Sequence, residues 1–199
     1  AGALAFTGYP VDPSSPISLT PGWNWVGYLP QGTLAVNDAL ATVSAELNDI
    51  IKDQNLFSVY YGEDYGWSGS LEGMYPGMGY MLNVSNESDL IYPSSSELTR
   101  MALNMEDPIL PSTISTWSVN SHTYEYTATM TISIDSHDDF DGDFVGAFVD
   151  NECRGIAKRM YFPIDDSYIY SLMAYSNVTE GEELSFRYYN SQDDEIVEY

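Results

Sequence analysis

The sequence predicts a mainly β fold built as two β-rich modules, the first carrying one amphipathic helix and the second an antiparallel β-sandwich. Three observations predict it. Residues 124–134 alternate for eleven residues, with Tyr124, Tyr126, Ala128, Met130, Ile132 and Ile134 on one face and Thr, Ser and Glu on the other. Short β-branched and aromatic runs then recur between the turn pairs Asp141-Gly142, Asp150-Asn151 and Glu180-Gly181. Helical spacing occurs in one stretch only, Val36, Ala39, Leu40, Val43 and Leu47. A length of 199 residues, 44% of them hydrophobic and 14% aromatic, supplies enough apolar surface to fold without disulfides, and the single Cys153 has no intrachain partner.

Taken in order, residues 1–16 read as an extended N-terminal arm, because Pro10, Pro13 and Pro16 forbid a helix. Residues 17–96 form the first module. Ile17 to Tyr28 reads as two short strands about Pro21-Gly22, and a helix is expected over about 37–47, capped by Asn37 or Asp38. Phe57 to Tyr61 is a strand, Gly62 to Gly79 a glycine-rich stretch and Tyr80 to Leu82 a further strand. Residues 97–116, with Asp107-Pro108 and Pro111, read as the connection. The sandwich occupies 117–199, with later strands at Phe144 to Val149, Gly155 to Met160, Tyr168 to Tyr175, Leu184 to Tyr189 and Glu195 to Tyr199.

Thirty Asp and Glu face six Lys and Arg, a formal charge of -24. Such a surface repels phosphate backbones and anionic headgroups, so nucleic acid is excluded as a partner. No run approaches the ~20 apolar residues of a membrane-spanning helix, so membrane insertion is not expected. The start at Ala1 without an initiator Met, the scarcity of lysine and the triplets beginning at Asn83, Asn86 and Asn177 lead us to expect a processed chain, extracellular or at the cell surface, with those three asparagines as candidate glycosylation sites.

Several phrases are shared with a recognisable pairing of modules. Pro21-Gly22-Trp23-Asn24-Trp25-Val26-Gly27-Tyr28, Gly66-Trp67-Ser68-Gly69-Ser70-Leu71 and Pro76-Gly77-Met78-Gly79-Tyr80 carry the first half. Phe144-Val145-Gly146-Ala147-Phe148-Val149, Cys153-Arg154-Gly155 and Gly181-Glu182-Glu183-Leu184-Ser185-Phe186-Arg187-Tyr188-Tyr189 carry the second. Over roughly 17–199 the chain resembles paired β-rich modules of large secreted bacterial surface proteins. The resemblance implies an extracellular, non-enzymatic module and brings no chemistry with it. It also implies a chain that continues past Tyr199 with another strand, so that this C-terminus is trimmed, cleaved or completed by another molecule.

Candidate sites follow from side-chain chemistry. Asp135, Asp139, Asp141 and Asp143 are dense enough to repel one another unless solvated or bridged, and hard cations take oxygens from such loops, which makes calcium a candidate cofactor. The alternative is a solvated hairpin loop. Aromatic rings stack on sugars, and Tyr65 and Trp67 in the glycine-rich stretch are the candidate glycan contacts, whereas Trp23 and Trp25 are read as core. His122, His137 and Cys153 have no accompanying nucleophile or base motif, so no catalytic residue is assigned. The apolar Ala3, Leu4, Ala5 and Phe6 could pair with the open sheet edge of a neighbour. The expected function is a structural subunit of a surface assembly or filament, held by strand exchange with other copies or other surface-protein subunits. The alternative is a carbohydrate-binding, adhesive module.

Overall fold

The computed structural model describes residues 11–93, 110–134 and 140–199. Ala3, Leu4, Ala5, Phe6, Asp135, His137 and Asp139 lie outside them. Within the described residues the chain is mainly β and every strand pairing is antiparallel.

The first module contains β1 (Ile17–Leu19), β2 (Gly22–Gly27), β3 (Leu34–Ala35), α1 (Val36–Ala39), β4 (Ile50–Lys52), β5 (Phe57–Tyr60), β6 (Trp67–Gly69), β7 (Gly73–Met74), β8 (Gly79–Val84) and β9 (Ser88–Leu90). Its main sheet has the order β2-β8-β4-β5-β6, joined by the two-stranded pairs β1-β9 and β3-β7. Alternation gives this sheet two distinct faces. Val26, Tyr80, Leu82, Val84, Ile51 and Trp67 point inward to a core closed by Leu34, Val36, Leu40, Met74, Leu90 and Tyr92. Trp23, Trp25, Met81, Asn83, Ile50, Lys52, Phe57 and Val59 stand on the other face, in register across the strands.

The expected helix over 37–47 is one turn long. Its first apolar positions are real, since Val36, Ala39 and Leu40 are buried, but Leu47 is exposed and Ile50 and Ile51 belong to β4. Side chains of this segment are instead engaged mainly with a distant part of the module. The Thr42 hydroxyl accepts from Ile91 N at 2.8 Å, and Asp49 accepts from Glu46 N at 2.9 Å and from both the amide and the hydroxyl of Ser85. Asn37 is not a cap either. Its carboxamide grips the backbone of Trp67, accepting from N at 2.7 Å and donating to O at 2.9 Å, and so acts as a substitute ladder partner for β6. The glycine-rich stretch accordingly holds two short strands, β6 and β7.

The second module contains β10 (Tyr126–Ile132), β11 (Phe144–Val149), β12 (Glu152–Phe162), β13 (Ser167–Ser176), β14 (Ser185–Asn190) and β15 (Glu195–Glu198), in the order β10-β13-β12-β11-β14-β15. Strand β12 turns the corner of a sandwich. Its first seven residues lie along β11 and its last four along β13, so that β10-β13 faces β11-β14-β15 across Val145, Ala147, Tyr170, Leu172, Ala174 and Tyr188. The apolar run of β11 is buried on both sides, because Phe144 and Phe148 face a second cluster with Ile114, Trp117 and Tyr189. Residues 110–116 of the expected connection therefore pack into this module together with Trp117. Gly146 leaves the space that the Trp117 ring occupies, since a Cβ there would approach the ring to 3.0 Å.

The two modules share an interface. Phe57 on the outer face of the first sheet packs against Met173 and Tyr175 on the outer face of β13. The Tyr175 hydroxyl donates to Gln54 O at 2.6 Å, Lys52 Nζ donates to Thr127 Oγ1 at 2.9 Å, and Tyr61 meets Phe162 edge to face. Burial pushes the Tyr175 phenol up to about 12. This contact covers the β4-β5 half of the outer face and leaves the β2-β8 half bare.

Candidate functional site

The acidic loop behaves differently from a cation site at its two described members. Asp143 is fully buried and its carboxylate is saturated by protein donors: Oδ1 accepts from Ser191 N at 2.8 Å and Ser191 Oγ at 2.7 Å, and Oδ2 from Phe140 N and the Tyr188 hydroxyl, both at 2.8 Å. Four bonds fill the lone-pair positions of a carboxylate, so Asp143 has none left for a metal. Burial opposes its ionisation, yet these bonds together outweigh it and hold the pKa below the ordinary value. Asp141 is on the surface, paired with Arg159. Among the described residues no group of three or more His, Cys, Asp or Glu is gathered as a metal would need.

Of the two candidate stacking residues, Trp67 is 6% exposed and packs in the first core, with Tyr60 against it at 5.4 Å. It has no free ring face for a sugar, because β6 alternation and the Asn37 clamp turn it inward. Tyr65 is exposed at the opposite edge of the sheet from β2, its hydroxyl 3.5 Å from Ile164 O. The asparagines differ too. Asn83 sits within β8, and the hydroxyl of its triplet partner Ser85 is bonded to Asp49. Asn86 donates to Glu46, and Asn177 spends both ends of its amide on Thr123 O and Glu125 N.

Two features are placed by the structure alone. The first is a ledge on β2, where Trp23 is 46% and Trp25 78% exposed, side by side on one face. Both were read as core, and the structure reverses this: the inward positions of β2 are Asn24 and Val26. The Asn24 carboxamide bonds Thr20 N and O, Gly22 O and Leu82 O, which fixes the strand entrance. Lys52 Nζ lies 4.9 Å from the Trp23 ring centroid, and burial pulls its pKa below the ordinary value. The period-two spacing in Gly22-Trp23-Asn24-Trp25-Val26-Gly27 was the available signal. It does not say which face is buried when both are apolar.

The second feature is an open seam in the sandwich. Among the described residues strand β10 ends the sheet, and the inward side chains of β10 and of Ile134 after it are covered only in part, Met130, Ile132 and Ile134 being half-buried and Tyr126 exposed. A hollow of about 290 Å³ opens at one end of this face, lined by Ile132, Ile134, Val145, Phe186, Tyr188 and Tyr199. Another of about 240 Å³ opens at the other end, beside Tyr126, Ala128, Ala174 and Leu184.

Among the nucleophilic groups, Cys153 is buried with its thiol 3.6 Å from Gly155 O, and burial pushes its pKa up. No helix among the described residues is long and apolar enough to cross a membrane. In comparisons with protein-family models, curated proteins and solved structures, no match to this chain was found.

Proposed function

We propose that this chain is a non-enzymatic, extracellular structural module, a subunit of a surface assembly in which a strand from a neighbour completes the second sandwich. The observation that carries the reading is the half-covered inner face of β10, with an apolar hollow at one end and a mixed one, edged by Glu180 and Glu182, at the other. An edge strand offers unpaired backbone groups, and here the missing side-chain layer lies beside them, so one inserted strand would satisfy both. The Ala3-Leu4-Ala5-Phe6 segment of a second copy has the apolar composition for that role, ahead of a proline-rich spacer. Donation from copy to copy is heterologous and propagates instead of closing.

The test compares the whole chain with a variant lacking residues 1–10, by electron microscopy and sedimentation. Assembly by the whole chain, loss of assembly in the truncated one, and binding of a peptide of residues 1–10 to the truncated protein are expected. Assembly that persists without residues 1–10 rejects the arm as donor, and a monomeric whole chain rejects the assembly.

A further inference from the structure

We infer that the Trp23–Trp25 ledge is a stacking site for an uncharged polysaccharide. The indoles are two residues apart on one strand, about 6.6 Å along it, a spacing comparable to the rise of a sugar ring in an extended glycan. Beyond Trp25 the next rung of the same face is Gly27 opposite Gly79, where no side chain rises above the backbone, so the floor continues flat past the second indole. Beside Trp23 the opposing residue on β8 is Asn83, whose carboxamide offers a donor and an acceptor to sugar hydroxyls.

Charge selects the occupant. The chain carries -24, yet no side chain from Pro13 to Asn37 or from Gly73 to Asn86 is charged, and these segments contain both strands of the ledge. Among the described residues the cation on this face is Lys52, and its ammonium is engaged with Thr127 and the Trp23 ring. An anionic polymer would meet the repulsion of the whole molecule without a counter-charge at the site. A cationic one would find its partners elsewhere on the surface. A neutral polymer of sugar rings, with an apolar face for stacking and hydroxyls at its edge, matches an uncharged aromatic strip with an amide beside it.

The strand entrance and the Trp23 ring are held by their neighbours. Asn24 anchors the start of β2 from the inner side, and Lys52 is held from the second module, so Trp23 is oriented by the interface between modules. Binding here needs no strand exchange, since the ledge and the seam are on different modules.

The experiment is affinity electrophoresis of the whole chain in gels carrying hydroxyethylcellulose, mixed-linkage β-glucan or galactomannan, with polygalacturonate as the anionic comparison. Tryptophan emission is followed in parallel. Retardation by at least one neutral polymer and not by polygalacturonate is expected, with a blue shift as exposed indoles are covered. Trp25→Ala, with the melting temperature unchanged, and Trp23→Ala, with a lowered one because its ring packs against Lys52, should each weaken retention about tenfold, and Tyr161→Ala, at another exposed ring, should leave retention intact. Absence of retention by every neutral polymer overturns the inference, as does retention that survives the double Trp variant. Self-association that Trp25→Ala abolishes, without glycan retention, would assign the ledge to a second copy and equally overturn it.

Discussion

At the scale of single residues the chain separates side chains that hold structure from those that face outward, and Asp143 is the sharpest example of the first kind. A buried carboxylate with four donors around it is stabilising only while it stays ionised. Asp143→Asn places an amide NH₂ against donors on at least one side and should cost about 3 kcal/mol in urea unfolding at neutral pH. The sign of the pH effect follows from its lowered pKa. The unfolded carboxyl titrates at about 3.9, so the contribution is complete above that value and fades as the pH falls through the native pKa. The gap between the parent and Asp143→Asn should thus be constant near neutrality and narrow below about pH 4. A gap that is independent of pH down to acid unfolding would mean that the carboxylate is not the group responsible.

Among the elements, β12 shows how one irregularity organises a module. Pairing with β11 runs from Ala147 opposite Gly155 to Phe148 opposite Cys153, which leaves Arg154 as the extra residue of a bulge. The bulge aims Arg154 out of the ladder. Its guanidinium forms a fork with Glu182 at 3.0 and 3.2 Å, donates to Tyr175 O and lies over the Tyr124 ring. Gly155 follows because a Cβ there would run into the Met173 carbonyl where β12 crosses β13. The phrase Cys153-Arg154-Gly155 is therefore a buried thiol, a bulge and a close approach. Arg154→Ala should destabilise the protein by about 2 to 3 kcal/mol in denaturant unfolding, and Arg154→Lys should recover less than half, since an ammonium cannot reproduce the fork. Full recovery by lysine would reduce the contact to a point charge.

For the molecule as a whole, the contact between modules decides which outer surface remains open. Phe57, Met173 and Tyr175 bury the β4-β5 half of one sheet face, and the Tyr175 hydroxyl reaches Gln54 O. Modules joined by such a contact unfold together when the interface stabilises both. Calorimetry should give one transition for the parent and two for the double variant Phe57→Ala, Tyr175→Phe. A single transition in the double variant would show that each module is coupled through other contacts, such as Lys52 with Thr127 or Tyr61 with Phe162.

The sequence by itself determined the β class, the alternating strand that occupies Tyr126 to Ile132 within the expected run 124–134, the strand at Phe144 to Val149 and the turns at Asp141-Gly142 and Asp150-Asn151. These signals are local: side-chain period and turn chemistry need no knowledge of what packs where. Tertiary structure decided the rest. A helical period at Val36 to Leu47 yielded to Thr42 and Asp49, whose partners on Ile91 and Ser85 are far along the chain. Trp67 went inward and Trp25 outward, though both are tryptophans in aromatic, glycine-flanked strands, because burial of a face depends on which neighbour covers it. The five-stranded sheet has apolar residues on both faces and a partner for only part of the second one, and that shortage of cover is what leaves the ledge on the surface.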